Sequence, residues 1–258
     1  MLDLHQKTFP VKSVLGFSVA AIPFNDQLKL ILTWAKQGGS KTICIANTHM
    51  LVEAHRNEKF ATVLKHADLV TPDGMPLVWM LRFMGVTQQE RVAGPDVLPA
   101  LCHRASELGV SLFFMGSHNE VLSRMQARLK REFPRLKIAG MQPLPFRPLT
   151  EAEDTELVNR INDSGAKILL VSLGCPKQEI WMATHKERVK MVMIGLGAAF
   201  PLYAGLNRRA PCWMQRVGLE WFYRLIQEPR RLWGRYSTTI PAFIWLALKQ
   251  LLWTARST

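Results

Sequence analysis

The chain has 258 residues, 48% of them hydrophobic and 21% charged, with 33 Lys and Arg against 20 Asp and Glu. That is enough for a full apolar core, and the composition excludes disordered, collagen-like and low-complexity classes. The formal charge of +13 points to a polyanionic or membrane-surface partner.

In chain order, a leading strand or hairpin is expected over 14–19 and a helix over 25–37. Short apolar runs then alternate with amphipathic stretches, the pattern of an α/β chain with a largely parallel sheet. Strands are predicted over 42–46, 68–71, 110–115, 137–140, 167–173 and 190–194. Helices are predicted over 49–66, 76–84, 97–108, 120–133, 151–164 and 176–188. Thr150 followed by Glu151 and Glu153 makes an acidic N-terminus for the fifth of these. After Phe200 the chain reads as helices broken near Pro211, Pro229 and Pro241.

The division expected is an α/β body over 1–203 and a helical appendage over 204–258. That appendage carries nine Lys and Arg against two Glu, a net charge of +7, and five of the eight tryptophans. Basic residues interleaved with Trp suit a membrane interface or nucleic acid, whereas the plainer reading makes the aromatics core and the arginines solvated. The most apolar run, 240–248, is stopped by Lys249 and Gln250, well short of the roughly 20 residues a span needs. The opening Met1-Leu2-Asp3 has no basic stretch feeding an apolar core, so no signal peptide is expected. Cys44, Cys102, Cys175 and Cys212 lack zinc-site spacing and read as the reduced thiols of a cytoplasmic protein.

Ligands of open parallel sheets bind beyond the carboxyl ends of the strands. Asn47-Thr48-His49, Pro72-Asp73-Gly74, Gly116-Ser117, Gly174-Cys175-Pro176-Lys177-Gln178-Glu179 and Gly195-Leu196-Gly197 follow five predicted strands. Small and polar residues at five strand ends make a rim suited to a phosphorylated nucleotide on helix N-termini. Thr48, Gly116, Lys177, Glu179 and Gly197 are candidate substrate contacts on it. Lys177 is of interest because a cation in the first turn of a helix opposes the helix dipole. Asp73 is either a general base aimed into the rim or the N-cap of the next helix. In Arg91-Val92-Ala93-Gly94-Pro95-Asp96, Asp96 is expected to N-cap a helix, with Arg91 its ion-pair partner or a phosphate ligand. His49 reads as a packed or surface histidine. No Walker loop, HExxH, GxSxG or strand-end carboxylate pair is present, so neither a divalent metal nor a cofactor is expected.

The series Asn47, Pro72-Asp73-Gly74, Arg91-Val92-x-Gly94-x-Asp96, Gly174-x-Pro176-Lys177-Gln178-Glu179 and Arg209-Ala210-Pro211, with the tail 219–232 (LEWFYRLIQEPRRL), resembles the WecG/TagA/CpsF glycosyltransferase family. The resemblance runs over roughly 14–236. It implies a Rossmann-like sheet and transfer of N-acetylmannosamine or a related sugar from a UDP donor to a polyprenyl-diphosphate-linked acceptor. The products implied by the resemblance are cell-surface polysaccharides or teichoic-acid linkage units. It implies Asp73 as catalytic base, with Asn47, Arg91 and Gln178 lining the pocket and Gly94 and Asp96 beside them. Arg224 and Arg231, with Arg235, are placed at the lipid diphosphate, and the protein peripherally on the inner face of the bacterial membrane. Many members carry threonine two residues before the Asn47 position, where this chain has Ile45. Two other readings account for less of the series: a nucleotide-cofactor-dependent oxidoreductase using the Gly195 turn, and a basic nucleic-acid-binding module using the tail. The residues leave a homo-oligomer open.

Overall fold

A computed structural model describes residues 9–145 and 147–255; the opening Met1-Leu2-Asp3 and Arg256 lie outside the described residues. The chain begins with a hairpin of β1 (Val11–Val14) and β2 (Phe17–Ala20), closed by a two-residue turn between Val14 and Phe17. Helix α1 (Phe24–Gln37) buries Leu28, Ile31, Leu32 and Ala35. That is the i, i+3, i+4, i+7 stripe of a helix with one apolar face. Strand β3 (Lys41–Ala46), helices α2 (Thr48–Arg56) and α3 (Glu58–Lys65), strand β4 (Leu69–Pro72) and helix α4 (Met75–Phe83) follow. Next come α5 (Gly94–Leu108), β5 (Leu112–Gly116), α6 (Asn119–Glu132), β6 (Ile138–Gln142) and α7 (Glu151–Asp163). After β7 (Ile168–Ser172), α8 (Lys177–Thr184) and β8 (Val192–Gly195), the chain ends in α9 (Ala199–Tyr203), α10 (Cys212–Arg216), α11 (Glu220–Gln227) and α12 (Pro229–Ala255).

The main sheet is parallel, with strand order β4-β3-β8-β7-β5-β6. Every residue of β5, β7 and β8 is buried. This is why those strands read as unbroken apolar runs rather than as alternating ones. The expected α/β architecture, with helices flanking a parallel sheet and a helical C-terminus, is the one observed.

The chain forms two compact units. One holds residues 25–45 and 93–209, and so most of the sheet. The other gathers the described residues up to 24, the segment 46–92 and the tail from 210 onward. In this second unit α12 packs on α2, burying Leu232, Thr239, Phe243 and Ala247. Arg56 Nη2 donates to Thr238 O at 3.1 Å.

The acidic start of α7 is a full capping box: Glu153 N–H donates to Thr150 Oγ1 at 3.2 Å and Thr150 N–H to Glu153 Oε2 at 2.8 Å. The single helix expected over 49–66 is two, because Asn57 leaves helical geometry and its Oδ1 caps α3 by accepting from Phe60 N–H at 3.1 Å. Asparagine satisfies an orphan N–H better as a cap than in a helix interior. Helix α5 begins at Gly94 rather than at residue 97, so Asp96 lies within its first turn and Ala93 occupies the N-cap. Pro211 and Pro229 mark helix starts as expected, but Pro241 sits inside α12 without ending it. Its ring is exposed, and the burial of Thr239, Phe243 and Ala247 on either side offsets the lost hydrogen bond.

Candidate active site

In the unit that contains the tail, the strand-end segments are tied to one another through their backbones. Asp73 N–H donates to Ala46 O at 2.7 Å, and Val92 N–H donates to Pro72 O at 2.9 Å. This brings Asn47, Asp73 and Arg91 to neighbouring strand ends. Asn47 N-caps α2 by accepting from Met50 N–H at 3.1 Å, and Thr48 is the first residue of that helix. Asp73 is half-buried. Gly74 takes the N-cap of α4, so the aspartate does not cap that helix with its own backbone position. Arg91 is more committed: Nη1 donates to Glu220 Oε2 at 2.6 Å and Nη2 to Gln215 Oε1 at 2.8 Å.

The same unit carries the tail arginines. Arg224, Arg231 and Arg235 all lie close enough to the Tyr236 phenol to act on it electrostatically. Burial pushes that phenol up, Arg224, Arg235 and Arg231 work against the rise, and Glu220 adds to it. Arg231 pairs with Glu228. Among the described residues neither Arg224 nor Arg235 forms an ion pair. His49, in the first turn of α2, is held down to about 4 by burial and then by Arg235 and Arg56, so it is neutral at physiological pH. Trp221 meets Tyr236 edge-on, with ring centroids 6.0 Å apart. The five tail tryptophans are between 38% and 74% exposed, which removes the reading of them as core.

The other unit has its own cluster. The sheet register aligns Gly116 with Ser172 and Val171 with Gly195. Ser117 N–H donates to Ser172 O at 3.0 Å, and Ser172 Oγ to Gly197 O at 2.9 Å. Gly116 has φ +97°, and a Cβ there would meet Ser172 O at 2.4 Å, so only glycine fits. Gln178 and Glu179 are both buried, and Gln178 Nε2 donates to Glu179 Oε1 at 2.7 Å. Burial holds the Glu179 carboxyl above the usual carboxylate range. Lys177, in the same turn of α8, is exposed. Gly94 packs against the Leu196–Ala199 segment, and Asp96 receives both terminal nitrogens of Arg209 at 2.6 and 2.7 Å. Among the described residues, no three His, Cys, Asp or Glu side chains converge as a metal site would require.

Residues 12–257 match the family described as Glycosyl transferase WecG/TagA/CpsF family. The chain belongs to that family. Two relatives carry the name N-acetylglucosaminyldiphosphoundecaprenol N-acetyl-beta-D-mannosaminyltransferase. One, from Bacillus spizizenii (strain ATCC 23059 / NRRL B-14472 / W23), is 33% identical over 220 residues, 84% of this chain and 82% of the relative. The other, from Bacillus subtilis (strain 168), is 32% identical over 210 residues, 81% of this chain and 79% of the relative.

Within this WecG/TagA/CpsF glycosyltransferase, the one expected pairing, Arg91 with Asp96, is not formed. Asp96 pairs with Arg209, 113 residues away, rather than with Arg91. Arg91 pairs with Glu220, 129 residues away. Ile45, at the position where many members carry threonine, is buried in β3. Glu220 and Gln215 hold the candidate residue Arg91, and Tyr236 lies among the candidate arginines of the tail, contacts that no motif in the sequence singles out. Glu220 stands in the quoted tail series, and its position one helical turn before Arg224 was the available signal.

Proposed function

We propose that this enzyme transfers a sugar, N-acetylmannosamine or a close relative of it, from a UDP-sugar to a polyprenyl-diphosphate-linked sugar, with inversion. The reading is supported by the family membership and by the names of the two Bacillus relatives. The observation that carries it is the tail cluster: Arg224 and Arg235, neither ion-paired among the described residues, beside Tyr236 in the unit that also holds Asp73. Uncompensated arginines that are half-buried are suited to a diphosphate, which accepts charge-assisted bonds from their planar donor fork.

In this scheme Asp73 takes the proton of the attacking acceptor hydroxyl. Departure of UDP needs positive charge, supplied by guanidinium groups and helix N–H groups. Asn47 and Thr48 are candidate substrate contacts in the unit that carries Asp73, and Gly94, Asp96, Gly116, Lys177, Gln178, Glu179 and Gly197 are candidate substrate contacts in the other unit. Arg224, Arg231 and Arg235 receive the lipid diphosphate. The appendage, 204–258, docks on the membrane from the cytoplasmic side: its exposed tryptophans sit at headgroup level and its basic residues meet anionic lipid. Among the described residues no helix is long and apolar enough to cross a membrane.

The test is UDP release from a panel of UDP-sugars with a short-chain polyprenyl-diphosphate-GlcNAc acceptor. Acceptor-dependent release from UDP-N-acetylmannosamine or a related donor supports the proposal. Release from none of the panel, or release that ignores the acceptor, sinks it.

A further inference from the structure

The guanidinium of Arg91 has acceptors on both terminal nitrogens, and both acceptors come from the tail. Glu220 Oε2, at 2.6 Å, also cancels its charge, and the side chains of the pair are only 13% and 20% exposed. An arginine neutralised and engaged in this way is a poor ligand for a diphosphate, which needs the charge and the donor fork together. It is well suited to be a strut. Gln215 is itself held, because its Nε2 donates to Ala210 O at 2.7 Å, leaving Oε1 turned to Arg91.

The other end of the strut is the Asp73 ledge. Val92, next in the chain to Arg91, donates to the carbonyl of Pro72, the residue before Asp73. A second contact fixes the same stretch of tail. Gly218, between Gln215 and Glu220, has φ +77°, and a Cβ there would meet Trp79 Cη2 at 2.7 Å and Met75 Cβ at 3.2 Å. Met75 opens α4, two residues after Asp73, so the turn between α10 and α11 rests on the helix that leaves the ledge. On α11, Glu220 and Arg224 are four residues apart and therefore share one face.

We propose that Glu220 and Gln215 are positioning residues that clasp Arg91, and that the clasp sets α11 on the Asp73 ledge so that Arg224 is poised for the acceptor diphosphate. This deepens the reading of the tail arginines as diphosphate ligands and rests on it. Arg91 then acts through the tail rather than by touching substrate.

A double-mutant cycle of Arg91→Ala and Glu220→Ala decides it, with Gln215→Ala and the milder Glu220→Gln alongside. Two readouts are taken on each: KM and kcat for the short-prenyl acceptor and the UDP-sugar, and backbone hydrogen exchange across residues 212–227. Each single variant should raise the acceptor KM by roughly tenfold or more while shifting the donor KM little, and should speed exchange in α10 and α11 but not in the sheet. A general loss of fold would lower kcat and expose the sheet amides instead. The double variant should be no worse than either single, because the two residues share one contact. Additive losses would mean that Arg91 meets substrate itself, and would overturn the proposal. Unchanged exchange in Glu220→Gln and Glu220→Ala would overturn it as well. Should the wild-type enzyme transfer no sugar to the acceptor, the functional reading fails, and the exchange cycle still decides the clasp by itself.

Discussion

Replacing Gly195 by alanine tests whether the buried Gln178 amide belongs to the catalytic apparatus. Gly195 closes β8, and a Cβ there would lie 2.8 Å from Gln178 Nε2, 3.1 Å from its Cδ and 3.1 Å from Met182 Cε. The amide is not free to swing away, since its Nε2 already donates to Glu179 Oε1 at 2.7 Å and both side chains are buried. Reaching ordinary contact requires a shift of about 0.6 Å or an equivalent movement of β8, and overpacking of that kind costs about 1–3 kcal/mol. For a chain of this size the corresponding fall in Tm is roughly 2–12 °C. Catalysis should suffer more than stability does. A misplacement of about 1 Å at a reacting centre is worth up to about 100-fold, so a tenfold or larger loss of kcat is expected at 25 °C, where the variant remains folded. UDP release and thermal melts on the same preparation measure both quantities. Gly234→Ala supplies the packing control, because a Cβ there meets nothing within 4 Å. A Gly195→Ala enzyme with a lowered Tm and wild-type turnover would remove Gln178 from the site.

Asp73→Asn should lower kcat by at least about 100-fold while UDP still binds, as calorimetry can check; near-normal turnover would return Asp73 to the status of a turn residue. Transfer should survive excess EDTA, and loss of activity restored by Mg²⁺ or Mn²⁺ would contradict a mechanism run on arginines and helix N-termini. Burial pushes the Asp154 carboxyl up, but hydrogen bonds from Arg188 and His185 prevail and hold it below its ordinary value. A depressed folded-state pKa stabilises the fold above the ordinary value near 4, and that stabilisation is lost as pH falls through the folded value. Asp154→Asn should therefore melt lower than the wild type at pH 7, with the gap closing towards pH 3. Co-sedimentation with anionic vesicles should weaken as salt is raised, since each basic residue near the surface adds about 1 kcal/mol of screenable attraction; Trp245→Ser with Trp253→Ser should weaken it further, and binding indifferent to both would argue against the tail as the docking surface.

The alternation of strands and helices was legible because the central strands are buried on both faces and read as nearly unbroken apolar runs, as in Ile168–Ser172, where only the closing serine is polar. Breaks within that pattern were less so. Apolar positions continue at helical spacing across Asn57, and its extended backbone together with its side-chain bond to Phe60 N–H divides the run into two helices. Pro241 misled in the opposite sense, because burial on either side of it is a tertiary fact that local propensity does not contain. Candidate site residues at or just beyond strand ends, such as Asp73, Gly116 and Gln178, stand out in the sequence because ligands of parallel sheets bind past the carboxyl ends of the strands. Their distant partners do not. Among 33 cations and 20 carboxylates, local spacing does not select Glu220 for Arg91 or Arg209 for Asp96.

The last helix reaches back to the first hairpin: Leu15 N–H donates to Gln250 Oε1 at 2.7 Å, and Gln250 Nε2 donates to Ser13 O at 2.6 Å. During synthesis the hairpin emerges from the ribosome more than two hundred residues before its partner does. At the usual pace of about 5–20 residues per second, it waits at least about ten seconds, with Val14, Phe17 and Val19 lacking part of their final cover. Meanwhile the uninterrupted stretch 93–209 can begin to consolidate on its own nascent contacts. The part of the enzyme that carries Asp73 is thus among the last to be finished, and a chain stalled before residue 250 has most of its sheet but lacks the two bonds that tie its beginning to its end.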